Sequence, residues 1–545
     1  MSPARPAEPG HYPDPMATMA PRRSAWSLPA RAAGSARVLA PIALGGIVAI
    51  AIFLRTRDFD VGYWIDEGLS VGIADRPLGD IPGVLRLDGS PPLYYSLLHF
   101  WIGLVGRSES ATHALSLIFA VLAVPAAWWA GRGIFGARAG WMAALLVATN
   151  PFLTQYAQET RMYALVMLLG ILACGMFLRA LVPAGSGAAT ARGRRRWWAV
   201  GFALALTAML YTHNWSLFFG AGCGVAWLGL LATAPRGARR DLLVDGLIAF
   251  GGALVLYAPW LPTLLFQARH TGAPWSSAPG WDDLFGVPGR LLGTVAQLGL
   301  LFAGGAGVVA LLNRREGGVG PRGRAVVTLL VVWVLTVLAA WLTSQVSPAW
   351  ASRYLSVGVA PVLLAAAAGL AHAGRLGLVG AVIVAIIWAG DGAPSQKSNV
   401  RDLAQVIAPS LRPGDLVVST QPEQIPVLSY YLPAGLSYAT LWGPVDDLGV
   451  TDWRDGVRRL RGTTPERDLK PLLDRLPRGR RVVLVEPFTI DIGSWLAPWT
   501  ELVRVRSTQW RQYLANDPRL TATAIRPSQI PPGNKLLRAT VLVKE

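Results

Sequence analysis

Residues 91–106 read Pro91-Pro92-Leu93-Tyr94-Tyr95-Ser96-Leu97-Leu98-His99-Phe100-Trp101-Ile102-Gly103-Leu104-Val105-Gly106, and the assignment of this stretch decides the topology of everything after it. It is apolar enough to pass for a membrane span. It is also short, rich in aromatic residues and interrupted by His99, whereas crossing the hydrocarbon core takes about 20 mostly apolar residues. The basic clusters settle the choice. Arg22-Arg23 with Arg31 and Arg37, Arg132 with Arg138, Arg192 with Arg194-Arg195-Arg196, Arg236 with Arg239-Arg240, and Arg314-Arg315 with Arg322 and Arg324 all lie between or before longer apolar runs. Short basic clusters of this kind mark cytoplasmic loops. Counting residues 91–106 as a span would turn the clusters downstream of it to the outside. Taken as an amphipathic helix in the outer interface, the stretch leaves every cluster inside.

With that choice made, the rest of the chain falls into place. Its 545 residues are 52% hydrophobic and only 15% charged, against about a quarter charged in soluble domains. Apolar runs at about 38–54, 112–131, 139–155, 162–181, 197–212, 214–234, 244–266, 289–312, 325–345, 354–373 and 376–390 have roughly the length of spans. The expectation is an α-helical polytopic protein of the cell membrane with about eleven spans. Its N-terminus is cytoplasmic, the loop at 55–111 is outside, and the C-terminal part is extracytoplasmic. The net charge of +18 encodes this orientation and not a nucleic-acid partner. Cys174 and Cys223 both fall in spans and read as small packing residues. The polar tail 1–37 reads as disordered, and 38–391 as the membrane domain.

From 392 to 545 the texture changes. Asn399 to Ile407 has helical spacing, Arg412-Pro413-Gly414-Asp415 reads as a turn, and 416–419, 481–486 and 539–543 read as buried strands. Helices alternating with short apolar strands predict a small extracytoplasmic α/β domain.

The unusual polar residues gather on the outer side. Tyr63-Trp64-Ile65-Asp66-Glu67-Gly68 puts adjacent carboxylates just beyond the first span, where desolvating a charge is costly. A helix start would favour acids there through its dipole, and an acid at a helix start facing a cavity is also well placed as a base. Asp88-Gly89-Ser90-Pro91-Pro92 makes a rigid turn before the interfacial helix. Gln158-Glu159-Thr160-Arg161-Met162-Tyr163 and Trp350-Ala351-Ser352-Arg353-Tyr354 sit at outer ends of spans, and His213 lies in a tight outer turn. A local Glu159–Arg161 salt bridge or a snorkelling Arg353 is the bland alternative. No Gly-Lys-Ser/Thr phosphate loop is present, which argues against an ATP-driven pump.

Taken together, Asp66-Glu67, the motif at 88–95, Gln158 to Tyr163 and Arg353-Tyr354-Leu355 resemble the GT-C membrane glycosyltransferases. The branch is that of the dolichyl-phosphate-mannose–protein mannosyltransferases and the lipid A aminoarabinose transferases. The resemblance covers about residues 40–390. It implies a polyprenyl-phosphate sugar donor and transfer outside the cytoplasm. By motif match the catalytic residues are Asp66 as base, Glu67 beside it, and Glu159 in the second outer loop. Asp88, Ser90, Tyr94, Tyr95, Arg161, Tyr163, His213, Arg353 and Tyr354 are the substrate-binding candidates. Where many relatives carry His before the Pro pair, this chain has Ser90.

The residues agree with that chemistry. Side chains of 93–104 could line a lipid groove, and Arg161, Arg353, His213 or Arg269 could neutralise a leaving phosphate. Asp66 would take the acceptor proton in a single inverting displacement. Asp66, Glu67 and Glu159 could hold Mg2+ or Mn2+, although spacing does not show that they converge; no other cofactor is implied. The expected sugar is mannose and the acceptor a glycolipid, polysaccharide or protein of the cell envelope. Arabinose or protein O-mannosyl transfer are the alternatives within the fold. A flippase for a lipid-linked precursor is the alternative outside it, but such transporters place charges near the midplane. A catalytically dead scaffold is argued against by the intact carboxylates.

Overall fold

The computed structural model describes residues 30–57, 59–182, 189–313, 319–392, 396–488, 492–523 and 536–545. The tail to residue 29, with Arg22-Arg23, and the pair Arg314-Arg315 lie outside the described residues. The chain divides into two units, Met1–Gly46 and Ile47–Glu545. The described part of the first belongs to the helix Ala30–Arg55, with Leu39 and Ile42 exposed. All that follows concerns the second.

Among the described residues, seven helices are long and apolar enough to cross a membrane: Glu109–Phe135, Tyr163–Leu181, Ser216–Thr233, Arg236–His270, Thr294–Leu312, Pro321–Val346 and Ser352–His372. Each falls on an expected span. The other expected spans are helical too, as Ala30–Arg55, Ala137–Thr149 followed by Pro151–Ala157, Ala189–Leu210 and Gly374–Gly390. Leu254, Val255, Phe302 and Ile386 are exposed on these helices. In water that would be a liability; against lipid tails, as apolar as leucine, it costs nothing. This is an integral membrane protein.

The helix Leu93–Val105 has 13 residues, about 20 Å at 1.5 Å per residue, too short for a core of about 30 Å. Leu98 on it is buried while Phe100 and Leu104 are exposed. At the end of the first helix, Arg55 is fully buried, and its guanidinium donates to the carbonyls of Ala120 at 2.9 Å and Val147 at 2.7 Å. These bonds fix where the first outer loop begins.

The C-terminal part is built on a six-stranded sheet: β1 Leu416–Ser419, β2 Ser437–Thr440, β3 Gly443–Pro444, β4 Arg481–Phe488, β5 Leu520–Thr523 and β6 Leu536–Lys544. The spatial order is β3-β2-β1-β4-β6-β5. β1 pairs parallel with β2 and β4, and the remaining pairs are antiparallel. Strand periodicity sends Val417, Val483 and Val485 to one face and Leu416, Val418, Val482, Leu484 and Leu542 to the other. Both faces are covered, which is why these strands read as unbroken apolar runs. The second face carries Trp499, Val503, Trp510 and Leu514 of the helix Pro498–Ala515. The first carries Val400, Leu403, Ala404 and Ile407 of the helix Val400–Ile407, spaced as one helical stripe.

Tyr63 and Val71 of the first outer loop belong to that same apolar cluster. The sheet region therefore packs directly on the segment carrying the carboxylate pair. Contact is at backbone distance: a Cβ on Gly72 would stand 2.2 Å from the carbonyl oxygen of Gly449, and one on Gly68 2.6 Å from Val427. Glu109 adds a polar seam, accepting from the Tyr431 hydroxyl at 2.9 Å and the Tyr430 hydroxyl at 3.2 Å.

Candidate active site

Trp64 is extended and the helix Ile65–Ala74 begins after it, with Asp66 and Glu67 in the first turn, where the helix dipole favours acids. Successive helical residues point about 100° apart, so the adjacent carboxylates take opposite environments. Glu67 turns into the protein and is fully buried. Its Oε2 accepts from the Trp64 N–H at 3.4 Å. Its Oε1 meets His113 Nε2 at 2.7 Å and accepts from the Thr160 N–H at 2.8 Å. Lys397 Nζ bridges both oxygens at 2.8 and 2.9 Å and also donates to the Gln158 carbonyl at 2.6 Å. Burial alone would favour the neutral acid, but Lys397 and His113 outweigh it and hold Glu67 ionised, below the usual carboxylate range.

Asp66 faces a cavity of about 510 Å³. The loop that Glu67 grips through Thr160 delivers Arg161 to the same place. Arg161 Nη1 donates to the Tyr95 hydroxyl at 3.2 Å, the Ser70 hydroxyl at 3.1 Å and the Asp66 carbonyl at 3.3 Å, and Nη2 lies 3.9 Å from Asp66 Oδ2. Arg353, on the 3-10 turn Ser352–Gly358, brings Nε to 3.5 Å from the same oxygen. Its guanidinium lies over the rings of Trp64 and Tyr354, 5.5 and 5.3 Å from their centroids. These are ion-pair distances, not saturated hydrogen bonds. Nε of both arginines has no hydrogen-bond partner. A second stretch of wall is apolar, made by Leu69, Leu217, Phe218 and Leu264.

Of the substrate-binding candidates, Asp88, Ser90, Arg161, His213, Arg353 and Tyr354 line this cavity. Burial pushes the Asp88 carboxyl up to about 6, against the opposing pull of the Ser90 hydroxyl and Arg161. Burial, with Arg161 and Arg353 adding to it, lowers His213 to about 3. His213 Nδ1 accepts the Trp215 N–H at 3.1 Å, so the ring is neutral with its proton on Nε2. It offers a donor and no charge. Arg269 is exposed and is not part of the lining.

Glu67, Glu159, Tyr94, Tyr95 and Tyr163 do not line the cavity. Tyr95 stands directly behind Arg161, Tyr94 bonds the Ser116 hydroxyl at 3.2 Å, and Tyr163 packs 4.9 Å from the Tyr156 ring. Glu159 is buried. Among the described residues no group of three or more His, Cys, Asp and Glu is gathered to hold a metal ion. The carboxylates that could hold Mg2+ or Mn2+, Asp66, Glu67 and Glu159, are not gathered in this way, and Glu67 is engaged by Lys397 and His113. Lys397, His113 and Glu423 belong to no motif in the sequence. His113 lies within a span pattern and Lys397 in a polar connection, and nothing local marks either.

No family model and no curated protein matches the sequence. Among solved structures, ArnT from Cupriavidus metallidurans aligns over 94% of this chain and 98% of its own, with a TM-score of 0.59 at 15% identity. The same protein bound to undecaprenyl phosphate aligns with a TM-score of 0.58 at 14% identity, over 92% of this chain and 97% of its own. The oligosaccharyltransferase of Archaeoglobus fulgidus covers 82% of this chain and 69% of its own, with a TM-score of 0.53 at 11% identity. All are GT-C membrane glycosyltransferases. The fold of this chain is theirs.

Proposed function

We propose that this chain, which shares the GT-C fold, transfers a sugar from a polyprenyl-phosphate donor to an acceptor on the extracytoplasmic side of the cell membrane, with mannose as the expected sugar. The observation that carries the reading is Asp66 set between Arg161 and Arg353 at the edge of a cavity with an apolar wall. A lipid-linked sugar phosphate needs each part. The apolar wall suits the first isoprene units, and two guanidinium groups with donors to spare suit the phosphate. The Asp66 carboxylate removes the acceptor hydroxyl proton as its oxygen attacks the anomeric carbon. The bond from that carbon to the phosphate oxygen breaks, polyprenyl phosphate leaves against the arginines, and the configuration inverts. His213 contributes a neutral N–H.

Binding of undecaprenyl phosphate by one structural neighbour supports the donor class. The test offers the full chain in nanodiscs a panel of polyprenyl-phosphate hexoses and pentoses with envelope acceptors. Turnover is expected for one donor. Asp66→Asn should lower it by about 10²–10⁴-fold with donor binding retained, and Arg161→Ala or Arg353→Ala should weaken binding of the bare lipid phosphate. Full activity of Asp66→Asn removes it from the mechanism, and energised lipid translocation without turnover of any donor overturns the reading.

A further inference from the structure

A second carboxylate reaches the same cavity from the sheet region. Glu423 lies on the short turn Pro422–Gln424 just past the C-terminal end of β1. It lines the cavity together with Gln421, Trp275, Trp453 and Trp495, and it is 5% exposed. Its Oε1 is fully engaged, accepting from Gln421 Nε2 at 3.0 Å and from the Trp499 indole N–H at 3.0 Å. Its Oε2 is buried and has no hydrogen-bond partner. A desolvated carboxylate oxygen without a donor is costly, and nothing in the mechanism above uses it.

The surroundings indicate what supplies the missing donor. The Trp275 and Trp453 rings meet at 4.8 Å between centroids, Trp453 and Trp499 at 4.9 Å, and Trp499 and Trp442 at 5.5 Å. The chain of indoles is rigidly braced through its backbone: the Trp453 main-chain N–H donates to the Leu87 carbonyl at 3.1 Å and that of Trp499 to the Pro274 carbonyl at 3.2 Å. The site thus sets the indole rings of Trp275, Trp453 and Trp495 in the cavity wall beside a carboxylate oxygen that still has room for a donor. A ring that is apolar on its faces and carries hydroxyl donors on its rim matches both.

We propose that Glu423 and Gln421, with the Trp275–Trp453 wall, form a carbohydrate subsite that takes the hydroxyls of a sugar ring. The inference rests on the transferase reading and deepens it. The ring is contributed either by the donor or by a glycan acceptor, and the chemistry recognised is the same.

The test uses the full chain in nanodiscs and saturation-transfer NMR with methyl α-mannobioside, a methyl arabinobioside and a Ser/Thr-containing peptide as probes, alongside bare undecaprenyl phosphate and its sugar-carrying form. One glycoside, or the sugar-carrying lipid over the bare one, is expected to gain from the site. Glu423→Gln and, independently, Gln421→Leu and Trp453→Phe should weaken that binding at least tenfold and leave bare lipid-phosphate binding unchanged. A loss confined to the glycoside and to the acceptor KM assigns the acceptor ring; a loss confined to the sugar-carrying lipid assigns the donor ring. Equal saccharide binding by wild type and variants, no saccharide binding at all, or binding of the peptide alone in a Glu423-dependent way overturns the proposal. Saccharide binding that depends on Glu423 without turnover of any donor overturns the transferase reading and leaves the subsite standing.

Discussion

At the scale of single residues, adjacency in sequence proved to mean separation in space. Asp66 and Glu67 share a peptide bond, yet one faces a cavity with two arginines and the other a buried lysine and histidine. Asp88, in the same cavity, illustrates how burial can outweigh a hydroxyl donor and a nearby cation in setting a titration. Its carboxyl is pushed up to about 6, so between about pH 4 and that value the folded chain holds a proton that the unfolded chain has released. Stability therefore falls as pH rises through that window and levels above it. Asp88→Asn, which cannot ionise, should raise the melting temperature in detergent at pH 7.5 by about 1–3 °C, with the gain vanishing by pH 4. A variant less stable than wild type at pH 7.5 would show that the ionised form is the one the fold favours.

At the scale of elements, the structure turns on how the helix Ile65–Ala74 is held. Its core-facing side is clamped by the sheet region at Gly68 and Gly72, and Arg76 just past its end pairs with Asp447 at 3.1 Å. At its start, Glu67 ties three further segments together: His113, the loop at Gln158 to Thr160, and Lys397. Removing one partner of a buried ion pair strands the other, at about 3–5 kcal/mol. Lys397→Met should show a loss of that order by thermal or denaturant unfolding. The same change in a Glu67→Gln background should cost less by about 0.5–3 kcal/mol. Additive losses would mean that the pair is not coupled. Because the loop carries Arg161, Lys397→Met should also weaken donor binding more than it slows turnover.

At the scale of the whole molecule, the distribution of arginine argues for orientation, and orientation for chemistry at the outer face. Cys174 and Cys223 are buried and give a silent background for labelling. On intact cells, a membrane-impermeant maleimide should modify Asp446→Cys, exposed on the sheet region, and not Arg194→Cys, exposed between two expected spans. Labelling in the opposite sense would invert the topology and move the cavity to the cytoplasmic side.

Local sequence was enough for the membrane class, the positions of the apolar helices, the short helix Leu93–Val105 and the buried strand segments 416–419, 481–486 and 539–543, because each is a periodicity or a length written along the chain. It also exposed Asp66, Asp88, Arg161 and Arg353, since charges at span ends are conspicuous against an apolar background. Which of these share a cavity was settled by tertiary packing alone. Lys397 meets Glu67 across 330 positions and Trp499 meets Glu423 across 76. No local pattern carries a pairing that exists only once the sheet has packed against the first outer loop. The division of labour between Asp66 and Glu67 has the same origin: a helical turn points them apart, and what each then meets is supplied by distant chain.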